Sequence, residues 1–361
     1  MTARSILSAR LGNQKLARSG FHDPGDVVAW LGAVQAQDYA GAKWALGLRT
    51  NGVTDADVEQ AFNAGTILRT HVLRPTWHFV APADIRWMLA LTAPRVHAVS
   101  AYYYRKAGLD SGIFARSRAA LERALRGGTY LTRAELAAVL RRARIPADGL
   151  RLAYLMIRAE LDGVICSGPR RGKQFTYALM DERAPHARTL AREEALAELT
   201  RRYISSHGPA TLRDYAWWSG LTVRDAKIGL ESVEPALAQE VMDGHTYWSV
   251  QTISRASSSR RASSTAHLLP NYDEYLITHK DRGLVVGAPQ ANSVVFDHHV
   301  VIDAQLAGTW RRSVNSGSVV VDVAPYRRLT RADTRALASA AERYGRFMNA
   351  AVVLRYRRAS V

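Results

Sequence analysis

Two glutamines, Gln35 and Gln37, are the residues whose type and spacing most suggest chemistry. Val28, Leu31 and Gln35 recur at helical spacing, so a helix through this run places Gln35 on an apolar stripe. A buried amide destabilises a fold unless its hydrogen bonds are satisfied. In a continuing helix Gln37 points to the opposite side, so the two side chains meet only if the helix ends or distorts near Gln37. The simpler alternative is that Gln35 bonds to a backbone group and Gln37 is exposed.

The composition is that of a folded, strongly basic chain. Its 361 residues are 47% hydrophobic, and 49 Lys+Arg face 32 Asp+Glu, which gives a net charge of +17. The hydrophobic content excludes wholesale disorder, and the length suggests two or three domains. The single cysteine, Cys166, excludes an internal disulfide and a multi-cysteine metal site. A GC-rich genome is an equal explanation of the arginine bias, but the excess of positive charge favours a polyanion partner.

The positive charge is unevenly distributed along the chain. Residues 113–182 carry 13 basic and 7 acidic side chains, and residues 251–361 carry 16 and 8, whereas residues 183–250 carry 8 and 9. The segment 183–250 is therefore the poorest candidate for binding a phosphate backbone. No apolar run is long enough to span a bilayer, and the N-terminus lacks a secretory signal. We therefore expect a protein of the reducing cytoplasm, without a membrane partner.

Other polar and aromatic residues are weaker candidates for function. Asp38 is either a helix cap or solvated charge, or a general base beside the glutamines. The pair His298-His299 has no HExxH pattern beside it, so we interpret it as part of a β-ribbon that could touch DNA rather than as a metal site. For Trp217-Trp218 packing in the core is favoured over a base-stacking platform.

Three consecutive segments share one order of predicted elements, which is three helices followed by a hairpin. In residues 113–182 the hairpin has a basic tip, Gly168–Lys173, and this order is typical of a winged helix. Residues 183–253 repeat the order, with a hairpin around Asp243-Gly244, and residues 1–112 are a looser version with a hairpin across Arg74-Pro75. The predicted N-caps of helices in these units are Asp23, Thr132, Thr211 and Thr222. The sequence therefore predicts three tandem winged-helix units.

The remaining sequence predicts a linker and a β-rich domain. Residues 254–265 are a basic, serine-rich stretch that we interpret as a linker, with a disordered phosphate contact as the alternative. Residues 266–361 contain several short apolar runs that favour strands of a small β-barrel, closed by a helix near Arg331–Met348. The predicted strands are Tyr275–Ile277, Leu284–Val286, Ser293–Phe296, Val300–Ile302 and Val319–Val321. The predicted fold class is α+β.

Motifs along nearly the whole chain resemble those of one enzyme family. The run Leu31–Gln37 resembles the QΦQ motif of the AlkZ and YcaQ-like winged-helix DNA glycosylases. The segments Arg74–His78, Leu268–Leu276 with His279–Arg282, and Val301–Asp303 with Gly308–Arg312 resemble other signatures of the family, in the same order. Because Gln37 stands where the YcaQ-type branch has Asp, the chain resembles the AlkZ type.

The resemblance implies a fold, a reaction and two catalytic residues. The fold would be three winged helices and a β-barrel. The reaction would be hydrolysis of the N-glycosidic bond of an N7-alkylguanine, and the AlkZ-type branch is associated with self-resistance to DNA-alkylating natural products such as azinomycin B. Gln35 and Gln37 would hold the attacking water and face the positive charge that develops on the sugar. No lysine lies beside the motif, so the enzyme would be monofunctional, and we expect no cofactor or metal.

The partner implied is double-stranded DNA carrying alkyl lesions or crosslinks, with no obligate protein partner. The alternative is a transcriptional regulator or architectural DNA-binding protein built from the same modules. Gln35 and the barrel favour the enzyme, since a simple regulator needs neither. The residues that we expect to contact DNA are basic or aromatic and lie in predicted hairpins or near the family motifs: Arg74, Trp77, His78, Arg170, Arg171, Lys173, Lys280, Arg282, His298, His299, Arg311 and Arg312.

Overall fold

The structure, a computed structural model, describes residues 2–252, 264–286, 297–315 and 317–357 and has a mixed α+β fold. Most of the predicted linker at 254–265 lies outside these residues, and so does the predicted strand Ser293–Phe296. No helix in the described ranges is long and apolar enough to cross a membrane.

The first unit consists of short helices around a three-stranded sheet. Its elements are α1 (Ala3–Asn13), α2 (Pro24–Leu31), β1 (Val34–Gln35), α3 (Tyr39–Gly47), α4 (Asp55–Ala64), β2 (Leu68–His71), β3 (Trp77–Val80) and α5 (Ile85–Lys106). The central strand, β3, pairs antiparallel with β1 on one side and with β2 on the other. Asp23 caps α2 as predicted, since its side chain accepts a hydrogen bond from the Gly25 N–H.

Helix α2 is shorter than the apolar periodicity predicts. It ends at Leu31, and Gly32 follows with a φ of 79°, a conformation that glycine adopts without the strain a side chain would cause. The chain then enters β1, so Gln35 lies on a strand. The prediction of Gln35 on a helical stripe is therefore wrong, because Gly32 ends the helix before the stripe reaches it.

The second and third units follow the predicted order of helices and hairpins. The second contains α6 (Ser111–Leu125), β4 (Leu131–Thr132), α7 (Arg133–Arg142), α8 (Gly149–Leu161), β5 (Ile165–Ser167), β6 (Thr176–Leu179) and α9 (Met180–Arg183). The third contains α10 (Arg192–His207), α11 (Leu212–Ser219), α12 (Val223–Val233), a 3-10 turn (Glu234–Ala236), β7 (Ala238–Met242) and β8 (His245–Ser249). Thr132, Thr211 and Thr222 cap their helices as predicted, each accepting a hydrogen bond from the backbone N–H three residues on.

The C-terminal part is a five-stranded sheet with helices. It contains β9 (Ala266–Leu269), α13 (Glu274–Ile277), α14 (Gly283–Val286), β10 (His298–Ile302), β11 (Gln305–Asn315), β12 (Ser318–Pro325), α15 (Arg331–Phe347) and β13 (Ala351–Tyr356). The strand order is β13-β12-β11-β10-β9, antiparallel except for the parallel pair β12 and β13. Strands β9 and β13 are the edges, so the described strands do not close into the expected barrel.

Two predicted strands of the C-terminal part are short helices instead. Tyr275–Ile277 belongs to α13 and Leu284–Val286 to α14. All four residues of α13 are buried, so the run lacks the alternation that separates a strand from a buried helix. Asp273 begins α13, because its side chain accepts a hydrogen bond from the Tyr275 N–H. The predicted strands at 300–302 and 319–321 and the helix near 331–348 are confirmed.

The first unit lies at the centre of the packing. One hydrophobic core joins its helices to the C-terminal sheet, and a second joins its hairpin and α5 to the third unit. Trp44 illustrates the first core, since its Nε1 donates to the Leu268 carbonyl at 2.7 Å and its ring packs against Tyr344 and Phe347. The second unit has a core of its own. The first unit, which carries Gln35 on β1, therefore packs against both the C-terminal sheet and the third unit.

Candidate active site

The strand pairing brings both glutamines to the turn between β2 and β3. Gln35 lies opposite His78 in the pairing of β1 with β3, and the Ala36 N–H continues that pairing by donating to the Trp77 carbonyl at 2.7 Å. Alternate residues of an extended chain project to the same side. Gln35 and Gln37 thus both reach the segment 74–77, which a continuous helix would not allow.

Each glutamine amide oxygen accepts a hydrogen bond from that segment. Arg74 Nη2 donates to Gln35 Oε1 at 3.2 Å, and the Trp77 N–H donates to Gln37 Oε1 at 3.4 Å. Gln35 is 9% exposed, whereas Gln37 is exposed to solvent. The side chain that bonds to a backbone group is therefore that of Gln37. A carbonyl oxygen has two lone pairs, so each amide retains the capacity to accept a further hydrogen bond from water.

A buried carboxylate that the sequence reasoning missed lies behind Gln35. Glu274 is 1% exposed, and its Oε1 accepts the Gln35 backbone N–H at 2.8 Å. Its Oε2 accepts the Trp218 Nε1–H at 3.1 Å and lies 3.5 Å from His207 Nε2. Burial alone raises the pKa of Glu274, but the adjacent His207 and the hydrogen bond from the Gln35 N–H outweigh that effect, so the pKa is lowered and the group is ionised. The signal in the sequence was two consecutive acids, Asp273-Glu274, before an apolar run.

A second buried carboxylate anchors the segment that carries Glu274. Asp273 receives two hydrogen bonds from Arg49, at 2.8 and 2.9 Å, and the ion pair is fully buried. Arg49 also donates to Gln14 Oε1 at 3.0 Å. Bidentate pairs of this kind fix geometry as well as charge. The segment 273–277 is thus held against the first unit by two of its residues, Asp273 through Arg49 and Glu274 through Gln35.

His78 lies next to this site but is not at the surface. It is 0% exposed, its Nδ1 lies 2.9 Å from the Thr76 carbonyl oxygen, and its Nε2 has no hydrogen-bond partner among the described residues. Burial, with the nearby positive charge of Arg74, lowers the pKa of His78 to about 3. We expected His78 to contact DNA, but it is neutral near pH 7 and packs in the core, because its side chain has no exposed surface.

Asp38 is the N-cap of α3. Its side chain accepts a hydrogen bond from the Gly41 N–H at 3.1 Å. The capping interpretation is confirmed, because this carboxylate oxygen satisfies a free N–H at the start of the helix.

The two tryptophans of α11 differ in environment. Trp218 is fully buried, as predicted, and donates to Glu274. Trp217 is 42% exposed, donates from Nε1 to the Ile277 carbonyl at 3.0 Å and lies beneath the guanidinium of Arg74. The expectation that Trp217 packs in the core is therefore only partly met.

The basic hairpin of the second unit lies close to the glutamine motif. Arg171 and Lys173 are exposed, and Arg171 pairs with Glu135 at 2.8 Å. Arg170 is half-buried, with its guanidinium over the rings of Tyr39 and Phe175. Arg170 thus packs structurally, whereas Arg171 and Lys173 project into solvent.

The C-terminal candidates also divide by exposure. Arg311 and Lys280 are exposed, whereas Arg312 and Arg282 are half-buried. Arg312 donates to the Tyr344 hydroxyl at 2.9 Å. His298 and His299 begin a strand, β10, but it is an inner strand of the five-stranded sheet and not part of a β-ribbon. His298 Nδ1 accepts the Asn271 N–H at 2.7 Å, and His299 is 2% exposed. No group of three or more metal-ligating side chains occurs in the ranges that the structure describes.

A cavity of about 420 Å³ adjoins Trp77 on the border of the first and second units. Its wall combines aromatic rings with positive charges: Arg69, Trp77, Arg133, Lys173, Phe175 and Tyr177. The Arg69 guanidinium lies over the rings of Trp77 and Phe175, at 4.2 and 4.6 Å from their centroids. Arg69 Nε donates to the Ala36 carbonyl at 3.1 Å, so this wall also supports the residue between the two glutamines.

Comparisons with known proteins agree with the motifs and the fold. The family model described as AlkZ-like DNA glycosylase matches residues 28–347. An interstrand DNA cross-link repair glycosylase of Streptomyces sahachiroi is 24% identical over 326 residues, which cover 85% of this chain and 87% of that protein. The solved structure of Streptomyces sahachiroi DNA glycosylase AlkZ has a similar fold, with a TM-score of 0.81 at 21% identity over 99% of this chain and 100% of that one. The predicted AlkZ-type resemblance and the prediction of an enzyme are confirmed, and the chain belongs to the AlkZ-like DNA glycosylase family.

Proposed function

We propose that this protein is a monofunctional DNA glycosylase that hydrolyses the N-glycosidic bond of cationic N7-alkylguanine lesions. The observation that carries the proposal is the pair of glutamines whose amide oxygens both lie against the segment 74–77. Preorganised oxygens can orient a water molecule and face a developing positive charge without reorganising during the reaction.

The reaction needs neither a strong acid nor a strong base at the site. N7-alkylation makes the guanine positive, so the electron pair of the C1′–N9 bond leaves with the base as that bond breaks, and the base departs neutral. The sugar becomes an oxocarbenium ion, water adds to C1′, and the water proton passes to solvent. The free base and an abasic site are the products. In this mechanism Gln35 and Gln37 hold the water through their amide oxygens.

The neighbouring ionisable groups support a mechanism in which the two glutamines alone hold the water. Asp38 caps a helix, and His78 is neutral and buried. Lys43, the lysine nearest the motif in sequence, is buried and pairs with Asp55 and Glu59 at 2.7 and 2.9 Å. A paired ammonium group is a poor nucleophile, which favours hydrolysis over a lyase reaction.

Crosslinked lesions are the second part of the proposal. The relative from Streptomyces sahachiroi is named for interstrand cross-link repair. A crosslink attached at N7 of guanine would carry the same positive charge on the base as an N7-alkylguanine. We propose that the present protein also acts on crosslinks made by an alkylating natural product. Removal of one attached guanine would release one strand from the other.

DNA binding would use the exposed cations of the second unit and the C-terminal part. Arg171, Lys173, Lys280 and Arg311 are exposed, and the cavity beside Trp77 adds Arg69 and Arg133. The helix-then-hairpin order of the three units supports the interpretation of each as a winged helix. His78 and His299 are buried, so neither is among the DNA contacts that we propose.

Incubation of the protein with a duplex that contains N7-methylguanine, followed by alkali, tests the proposal. Alkali breaks the strand at an abasic site, so we expect strand breaks at the modified guanine and none without alkali. Tight binding to one DNA sequence without strand breaks would favour the regulator. Strand breaks before alkali would show a lyase and contradict the monofunctional mechanism.

A further inference from the structure

The carboxylate of Glu274 lies where three parts of the chain meet. Gln35 from the first unit and Trp218 from the third unit donate to it, and His207, also from the third unit, lies beside it. Glu274 itself comes from the C-terminal part. It has 1% exposure, so a DNA substrate cannot touch it. Any part that it takes in the reaction must therefore pass through another residue.

Burying a carboxylate is costly unless hydrogen bonds satisfy it, and a well-packed apolar residue often stabilises a fold as well or better. At Glu274 one oxygen accepts the Gln35 N–H and the other accepts the Trp218 indole N–H. An ionised carboxylate is an acceptor at both oxygens. A neutral amide has only one oxygen, so it cannot accept both donors in the same way.

The hydrogen bonds hold Gln35 from two directions. Glu274 fixes the backbone N–H of Gln35 at 2.8 Å, and Arg74 fixes the side-chain oxygen at 3.2 Å. The buried Arg49–Asp273 pair fixes the residue before Glu274. A displacement of Gln35 by about 1 Å would be enough to slow a reaction that depends on an oriented water molecule.

We propose that Glu274 is a positioning residue that sets the backbone of Gln35 and, through it, the amide oxygen that faces the substrate. The inference rests on the proposed role of Gln35. In this role Glu274 transfers no proton and does not contact DNA. Positioning Gln35 gives the carboxylate a function besides joining the three parts of the chain.

The test compares Glu274→Gln with Asp84→Asn. Asp84 is a matched control because it is also a buried carboxylate, 2% exposed, which accepts a tryptophan indole N–H, that of Trp87, at 3.0 Å and pairs with Arg202. No hydrogen bond or ion pair joins Asp84 to Gln35 in the described part of the chain. Single-turnover excision of N7-methylguanine at saturating enzyme, affinity for a duplex with a tetrahydrofuran abasic analogue, and melting temperature are measured for both.

We expect excision by Glu274→Gln to be about tenfold or more slower, a loss within the range seen when preorganised groups are disturbed, with affinity unchanged within about twofold. Asp84→Asn should have a lower melting temperature than the wild type but excise at the wild-type rate at temperatures below its melting transition. Equal slowing in both variants would show a general structural effect and overturn the proposal. If Glu274→Gln does not fold, Trp218→Phe, which removes one donor and keeps the charge, should still slow excision, and a wild-type rate in that variant would overturn the proposal.

A double-mutant cycle with Gln35→Ala separates this inference from the proposed function. If Glu274 acts through Gln35, the double variant should be no more than about twofold slower than Gln35→Ala alone. Fully multiplicative losses would overturn the positioning role. A wild-type rate in Gln35→Ala would instead overturn the proposed function, whereas slow Gln35→Ala with wild-type Glu274→Gln would overturn this inference alone.

Discussion

Arg74 donates a hydrogen bond of 3.2 Å from Nη2 to Oε1 of Gln35. The same guanidinium donates from Nη1 to the Trp217 carbonyl at 3.4 Å and lies over the Trp217 ring. Arg74 thus connects the turn of the first unit to the third unit and orients the Gln35 amide. The second lone pair of that oxygen is left for water.

Arg74→Ala should slow excision because the Gln35 amide loses the donor that orients it. A hydrogen bond that involves a charged group contributes about 1.5–3 kcal/mol, so we expect a loss of about tenfold or more. Single-turnover excision at saturating enzyme measures this without the effect on affinity. Faster excision by Arg74→Ala would show that Arg74 competes with the water for Gln35 and would contradict an orienting role.

DNA affinity should fall with salt, and the exposed cations of the second unit should account for part of that fall. Removal of one cation that binds a phosphate should flatten the log–log salt slope by about 0.9. We expect Arg171→Ala with Lys173→Ala to weaken binding more than Arg201→Ala with Arg202→Ala. Residues 113–182 carry 13 basic and 7 acidic side chains, whereas residues 183–250 carry 8 and 9, and Arg202 already pairs with both Asp84 and Glu198. The same comparison applies to Arg311 and Arg312 in the C-terminal sheet. Binding isotherms at several salt concentrations give the slopes, and the reverse ranking would mean that DNA lies along the third unit.

Lesion choice should follow the charge of the damaged base. N7-alkylguanine and N3-alkyladenine are cationic and should be released, whereas uracil and 1,N6-ethenoadenine should not, because no group beside the glutamines is an evident acid to protonate them. A panel of duplexes with one lesion each, assayed under one set of conditions, measures this. Efficient release of uracil would contradict the mechanism. Release of methyl lesions but not of bulky ones would leave the mechanism standing and remove the crosslink role.

Stability should fall as the pH drops below about 6.5, because several histidines are buried neutral. Burial, with the positive charge of Arg343, lowers the pKa of His267 to about 4. Between about pH 6.5 and pH 4 the unfolded chain binds a proton at His267 that the folded chain does not. The stability that comes from keeping His267 neutral is therefore fully present above about pH 6.5 and is lost as the pH falls towards 4. His267→Gln should flatten the slope of the free energy of unfolding by about 1.4 kcal/mol per pH unit in this range.

Urea unfolding between pH 5 and pH 7 measures the slope for the wild type and for His267→Gln. His245→Gln is the control, since His245 is exposed on the β7–β8 hairpin. The same slope in wild type and His267→Gln would show that His267 has the same pKa in the folded and unfolded chain and would contradict this account.

Local signals predicted the parts of the fold whose hydrogen bonds are local. The caps at Thr132 and Thr211 and the hairpin at Asp243-Gly244 satisfy backbone groups within a few residues, and all three are confirmed. The end of α2 was missed because Val28, Leu31 and Gln35 fit helical spacing while Gly32 interrupts it. The apolar spacing predicted a helix through Gln35, but Gly32 ends that helix at Leu31.

The candidate site could be predicted only in part for a related reason. Gln35 and Gln37 were found from their type, spacing and resemblance to a family motif. Glu274 lies 239 positions from Gln35 in the chain, and no local pattern in a single sequence predicts that contact. Arg74 lies 39 positions from Gln35, and its hydrogen bond depends on the register of β1 with β3. Sequence spacing thus predicted the residues of the motif, whereas the residues that hold it come from the tertiary fold.

The central claim, that Gln35 and Gln37 together hold the water, is tested most directly by the single-turnover rate of N7-methylguanine excision in Gln35→Ala and Gln37→Ala. Losing one preorganised group of this kind costs on the order of 10²-fold, so each variant should slow by about that factor while melting temperature and affinity for an abasic-analogue duplex stay near wild type. Excision at the wild-type rate in both variants would contradict the claim.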